Sequence, residues 1–312
     1  FFSRNRSALR ILRDLIVPFR PDVIYSNSST ISIGLSLARL CQSAHVWHLR
    51  EFVDLDYNLR FLFGKVSTKK IISNSDLRIS ISKAIFDHFS VGNDWRRNIV
   101  IFNGVATKNE MLSLRESREV SRASSPRNEF VFGIFGRIYS GKGHEEAVRA
   151  FSQVKRMVNA KVRLIVVGRG DLSWLLGLIC EERISDFVDI VGHVDNVWKY
   201  MLGIDCLLMC SRCEGMGRVT AEAMASGCAV IGFRGGGTPE LIADRETGLI
   251  YSDRHGELVK CMLNVVRNRA LCDEMGRAGW DRAFRNFAVE QYSSSVMNEL
   301  DLLLEQRGAI SS

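Results

Sequence analysis

At 312 residues, 46% hydrophobic and 25% charged, the chain is long enough for two α/β domains and too apolar to be disordered. No apolar run approaches the ~20 residues of a membrane-spanning helix, and no signal-peptide core follows the opening Phe1-Phe2-Ser3-Arg4-Asn5-Arg6. The net charge of +7 is lopsided: residues 1–128 hold 20 Lys/Arg against 11 Asp/Glu, the rest 22 against 24. The basic half is either a solvated face or a surface for anionic lipid or a phosphorylated acceptor. Nucleic acid is not the expected partner, because the aromatics are not interleaved with the basic residues.

The elements run in order as follows. Ala8 to Val17 reads as an amphipathic helix stopped by Pro18 and Pro21. A strand at 22–26 precedes Ser28-Ser29-Thr30, which is expected to cap a helix to Leu40. A strand at 44–49 ends in the polar cluster His48, Arg50, Glu51. A helical region near 57–72, a strand at 77–81, a helix at 82–89 and a strand at 98–102 lead to Asn103-Gly104. Residues 106–128 are rich in Lys, Glu, Ser, Arg and Asn, with Pro126 near the end, and read as a linker.

Beyond it, strands at 130–136, 162–167, 187–191, 205–209 and 228–232 alternate with helices at 144–158, 171–182, 195–203 and 217–225. A short helix opens at Thr238-Pro239, and three more, near 255–268, 270–286 and 288–306, close the chain. Strands alternating with helices mean parallel sheets, with ligands expected at the carboxyl ends of the strands.

Several motifs could carry chemistry. Gly136-x4-Gly141-Lys142-Gly143 comes close to a P-loop but has Gly143 where a magnesium-holding hydroxyl belongs. Its amides with Arg137 and Lys142 still suit an anion, or else form a plain glycine turn with two solvated cations. A dinucleotide fold would end its second strand on an acidic residue, whereas this strand ends Val167-Gly168-Arg169. Asp54-Leu55-Asp56 could hold a divalent cation but falls in a loop.

The eight cysteines sit mostly in apolar segments, as buried thiols of a reducing compartment do. Cys206, Cys210 and Cys213 lack the partners for a zinc set. His48 ends a strand at a crevice, where it is either structural or a ligand contact. No nucleophile–base pair has a usable spacing.

The stretch Glu214-Gly-Met-Gly-Arg-Val-Thr-Ala-Glu222-Ala-Met-Ala-Ser-Gly resembles the signature of the family 4 retaining glycosyltransferases of GT-B fold (group 1 glycosyl transferases). Gly136-Arg137, Lys142-Gly143, Gly168-Arg169-Gly170, Gly236-Gly237-Thr238-Pro239-Glu240 and Asn103-Gly104 follow the same family pattern.

The resemblance implies an α/β chain of two Rossmann-like domains facing across a cleft. Residues 1–105 would be the acceptor-side domain, truncated by roughly 50–70 residues on the scale of a two-domain enzyme. Residues 106–128 would be the linker, 129–286 the nucleotide-sugar domain, and 287–312 a helix packing back on the first domain.

The resemblance also implies roles. Arg137 and Lys142 would grip the donor diphosphate with no metal or other cofactor. Glu222 would take the ribose hydroxyls and Glu214 the donor sugar. The amides of Gly215, Met216 and Gly217 would line the sugar and phosphate site, beside Gly136. Gly168, Arg169, His193 and Val194 would surround the base, and His48 would lie near the transferred sugar. The expected reaction moves a sugar from a uridine or guanosine diphosphate sugar to a saccharide or lipid-linked acceptor, with retention. The setting would be cell-surface polysaccharide or glycolipid synthesis, in the cytoplasm or peripherally on the inner membrane face. The alternatives are a donor-binding chain with impaired turnover and a nucleotide-sugar epimerase of the same fold.

Overall fold

The computed structural model describes residues 2–90, 97–124 and 128–311. The chain divides into two compact units, one of residues 1–102 with 292–312, the other of 103–291.

The first unit carries α1 (Phe2–Ile16), β1 (Val23–Ser26), α2 (Ile33–Cys41), β2 (Ala44–Leu49), α3 (Lys65–Ile72), β3 (Leu77–Ser80), α4 (Lys83–Phe89) and β4 (Arg97–Val100). The strands form one parallel sheet in the order β1-β2-β3-β4. β2 is buried along its whole length, as a strand covered on both faces is, with His45 and His48 buried among apolar residues. Leu303, Val296 and Tyr292 pack on Val46, Leu77 and Ile79 of this sheet, which ties the chain's last helix to the first unit.

The second unit carries α5 (Lys108–Ser124), β5 (Glu129–Phe135), α6 (His144–Met157), β6 (Lys161–Val167), α7 (Leu172–Glu181), β7 (Val188–Val191), α8 (Trp198–Gly203) and β8 (Cys206–Met209). It continues with α9 (Arg218–Ala225), β9 (Ala229–Phe233), α10 (Thr238–Leu241), β10 (Leu249–Tyr251), α11 (Glu257–Arg267) and α12 (Arg269–Asn286). The last helix, α13 (Val289–Ser311), starts here and belongs to the first unit from Tyr292 onward. The six-stranded parallel sheet has the order β10-β9-β8-β5-β6-β7. Its core stacks Phe132 and Leu164 of the sheet on Phe151 of α6, all fully buried.

Three expectations need correction. Of the expected domain linker 106–128, residues 108–124 form a helix within the second unit. Thr107-Lys108-Asn109-Glu110 is a capping box: the Glu110 carboxylate accepts the Thr107 amide at 2.7 Å, and the Thr107 hydroxyl accepts the Glu110 amide at 3.2 Å. The helix buries only Met111 and Arg118, so its composition is that of an exposed helix and mimics a loop. Pro126 lies outside the described residues.

Ser28 and Ser29 do not cap α2. Both bond the Glu51 carboxylate instead, and the helix starts at Ile33 without a side-chain cap. The region near 57–72 is helical only from Lys65, because Gly64 at φ +73° stands as the break before it. The short strand β10 had no expectation. Its three residues are too few for a periodic signal.

Candidate functional site

β5 pairs with β6 on one side and with β8 on the other, so the order of the second sheet reverses beside β5. Loops from the two directions part there and leave a crevice at the strand ends. A cavity of ≈ 620 Å³ fills it. Gly136 and Arg137 come from the loop after β5, Gly168 to Gly170 from that after β6, and His193 and Val194 from that after β7. Glu222 and Val219 come from α9, Met201 from α8 and Val197 from the cap position just before α8.

Two glycines shape this edge. A Cβ on Gly168, at φ +155°, would lie 1.8 Å from the Gly136 carbonyl oxygen, so a larger residue would push the two loops apart. Gly143, at φ +73°, would meet the Cys210 carbonyl oxygen at 2.2 Å. Its missing side chain lets the loop after β5 close onto the end of β8. That contact brings Lys142 to Glu214, where the ammonium pairs with the carboxylate oxygen Oε1. Glu214 is held from behind by the Gly237 amide, which donates to its backbone carbonyl at 2.8 Å.

Glu222 is 7% exposed, and its Oε1 accepts a 2.7 Å bond from Arg218 Nε one helical turn earlier. Burial pushes its carboxyl pKa up, and the Arg218 charge opposes that shift. The only other carboxylate of the signature, Glu214, stays ion-paired at the same edge of the sheet. Buried Met216 accepts the Asn103 amide on its sulfur at 3.2 Å, so the Asn103-Gly104 motif meets the signature stretch within one unit.

Among the residues named from sequence, Gly136, Arg137, Gly168, Arg169, His193, Val194 and Glu222 line the one cavity. Lys142 and Glu214 form a pair of their own, in the loops after β5 and β8, and Gly215, Met216 and Gly217 follow in that second loop. His48 stands in the first unit, fully buried, its Nδ1 bonded to the Tyr25 hydroxyl at 2.8 Å and its ring stacked on Tyr292. Its Nε2 has no hydrogen-bond partner among the described residues. Burial, with the Arg50 charge beside it, lowers the His48 pKa to about 3, so the ring is neutral.

Sequence reading missed the apolar wall of Phe135, Val197, Met201 and Val219. The four-residue spacing of Val197 and Met201 puts both on one helix face and was the available signal. The Asp54-x-Asp56 pair is occupied otherwise. Asp56 accepts the Phe52 and Val53 amides at 2.9 and 2.7 Å, and Asp54 pairs with Lys65 and His88. Cys206 and Cys210 are core residues, and among the described residues no three His, Cys, Asp or Glu side chains are grouped to hold a metal ion.

Two parallel-sheet Rossmann-like units, with the crevice at the switch point of the second, define a GT-B fold. Residues 117–282 match the family model for glycosyl transferases group 1, and the chain belongs to that family. It is similar to the N-acetyl-alpha-D-glucosaminyl L-malate synthase of Bacillus anthracis, 31% identical over 48% of this chain and 39% of that protein. It is similar over a longer stretch to the lipopolysaccharide core biosynthesis mannosyltransferase LpsB of Rhizobium meliloti, 26% identical over 80% of this chain and 77% of the relative.

In fold it resembles Anabaena Alr3699/HepE in complex with UDP, with a TM-score of 0.78 at 20% identity, covering 94% of this chain and 81% of that one. The same protein in complex with UDP-glucose gives a TM-score of 0.77. The matched stretch spans well under two thirds of the Bacillus relative. Among the described residues no helix is long and apolar enough to cross a membrane.

Proposed function

We propose that the protein moves a sugar from a uridine or guanosine diphosphate sugar to a saccharide or lipid-linked acceptor, with retention and without a metal ion, in cell-surface polysaccharide or glycolipid synthesis. The observation that carries this reading is the crevice at the switch point of the second sheet. One buried carboxylate, Glu222, and two exposed guanidinium groups, Arg137 and Arg169, line the same ≈ 620 Å³ cavity.

A nucleoside diphosphate presents matching groups. Its ribose hydroxyls would donate to Glu222, and its base would lie against Gly168, Arg169, His193, Val194 and the apolar wall. The diphosphate would sit by Arg137 and Lys142, whose charges would stabilise the leaving group in the way a metal does elsewhere. Glu214, beside Lys142, would take the sugar hydroxyls, with the amides of Gly215, Met216 and Gly217 next to it.

The acceptor oxygen would attack the anomeric carbon from the face the diphosphate leaves. The bond to the diphosphate breaks as the glycosidic bond forms, and the hydroxyl proton passes to the departing phosphate oxygen. No protein nucleophile is needed.

A lipid-linked acceptor would put the protein at the cytoplasmic membrane face. In support, the first unit exposes Leu55, Tyr57, Leu59, Leu62 and Val66 beside Arg60, Lys65 and Lys70. Apolar side chains interleaved with cations suit an anionic lipid surface.

The test is a titration of UDP, GDP and their hexose conjugates, followed on the same preparation by a transfer assay with saccharide and polyprenyl-linked acceptors. Binding together with transfer supports the reading. Binding without transfer or donor hydrolysis overturns the enzyme reading, and failure to bind any nucleoside diphosphate overturns the donor site itself.

A further inference from the structure

Arg218 sits where local stability rules would not put it. It is the first residue of α9, at the positive end of the helix dipole, where acidic side chains are favoured. It stands four residues before Glu222, and a cation N-terminal to its carboxylate is the weaker order for an i,i+4 pair. Its side chain is 70% exposed, so solvent screens whatever stability the pair adds. A residue that breaks two local preferences without a stability gain points to a role at a site.

The contact itself says what that role is. Arg218 Nε donates to Glu222 Oε1 at 2.7 Å, and Glu222 lies on the cavity wall with its side chain 9% exposed. A buried carboxylate on a single aliphatic stem has several rotamers and a strong tendency to turn toward water. The guanidinium removes both freedoms, because it holds one oxygen from the solvent side and leaves the other for a ligand. Among the described residues no other side chain bonds Glu222. Arg137 and Arg169 line the same cavity from other loops, and Lys142 is committed to Glu214.

We propose that Arg218 is a positioning residue for nucleoside recognition, fixing the Glu222 carboxylate so that its second oxygen takes a ribose hydroxyl. This rests on the reading of Glu222 as the ribose contact. Arg218 touches neither the sugar nor the reacting atoms. It sets how well the ribose is read, and so it discriminates between ribose and deoxyribose in the donor.

The test is calorimetric titration of UDP and 2′,3′-dideoxy-UDP into the wild type, Arg218→Met, Arg218→Lys and Glu222→Gln. The expected result is that Arg218→Met weakens UDP about tenfold, the scale of losing one charge-assisted contact. Arg218→Lys should recover part of that loss, and dideoxy-UDP should bind the wild type and Arg218→Met alike. Unchanged UDP affinity in Arg218→Met overturns the proposal. An equal loss for UDP and dideoxy-UDP also overturns it, because it would make Arg218 a general attractor of the diphosphate. A wild type that binds neither nucleotide refutes the donor site and is read separately from either result. Arg218 is exposed, so a variant that fails to fold is not expected, and circular dichroism of each protein checks this.

Discussion

The Lys142 ammonium and the Glu214 carboxylate, 72 positions apart in the chain, form an ion pair at the carboxyl edge of the second sheet. The pair exists because Gly143 lets its loop lie against the Cys210 carbonyl. In the proposed reaction the two side chains part company: Lys142 turns to the diphosphate and Glu214 to the sugar. Lys142→Ala should therefore lower the transfer rate by at least ~10²-fold, as removal of an oxyanion contact does. Glu214→Gln should keep UDP affinity while losing transfer. Steady-state kinetics beside UDP titration separates the two effects, and an equal loss of UDP affinity in both variants would count against the division of roles.

Glu222 offers a test in which stability and binding move in opposite directions. Its folded-state pKa is raised by burial, so the folded state binds its proton more readily than the unfolded chain. By linkage, the ionised carboxylate destabilises the fold above its raised pKa, and that penalty fades as pH falls through the ordinary carboxylate range. Glu222→Gln should unfold at higher urea than the wild type at pH 7 and at equal urea near pH 4, while binding UDP more weakly. A variant less stable at pH 7 would show that the carboxylate is structural.

Three buried histidines are expected to cost the fold stability in acid. Burial lowers the pKa of His48 to about 3, and those of His45 and His144 to about 4. Each pKa is depressed below the unfolded value, so each group takes up its proton in the unfolded chain first. Stability is then lost as pH falls from about 6.5 toward the folded values, at about 1.4 kcal/mol per pH unit for each histidine. Urea midpoints between pH 7 and pH 5 should fall steeply in the wild type and less steeply in His45→Gln and His144→Gln. Parallel curves would refute the assignment.

Arg118 tests whether the helix of residues 108–124 is structural. Its guanidinium donates to the Met201 and Ile204 carbonyls at 3.2 and 3.0 Å from a position 4% exposed. Arg118→Ala should destabilise the chain by roughly 1.5–3 kcal/mol, because those acceptors would be left buried and unpaired. A true linker arginine would change stability by less than about 0.5 kcal/mol in the same urea experiment.

Metal independence has its own check. Exhaustive chelation should leave transfer unchanged if, as proposed, Arg137 and Lys142 supply the positive charge. Loss of transfer on chelation, restored by a divalent cation, would contradict the proposed mechanism.

Much of the fold was legible because parallel strands and their helices leave strong local marks. The Ala44 to Leu49 strand is buried on both faces, Asp171 caps α7 through a bond to the Trp174 amide, and Gly227 turns the chain after α9 with φ +70°. The linker failed for a local reason too. The Thr107–Glu110 capping box was present in the sequence, but the helix it opens buries so little that composition pointed to a loop. Ser28 and Ser29 failed for a non-local one, since the carboxylate that claims them, Glu51, is on the other side of β2 in sequence.

The sequence by itself determined the alternation of strand and helix, the spacing of Glu214 and Glu222, and the glycines that the loops require, because each depends on neighbours a few residues away. Only the tertiary structure decided which of these residues meet. It placed Glu222 on the cavity wall, joined Lys142 to Glu214, and buried His48 against Tyr25 and Tyr292. Those pairings depend on strand order and on how closely loops approach, and nothing local in the chain carries that information.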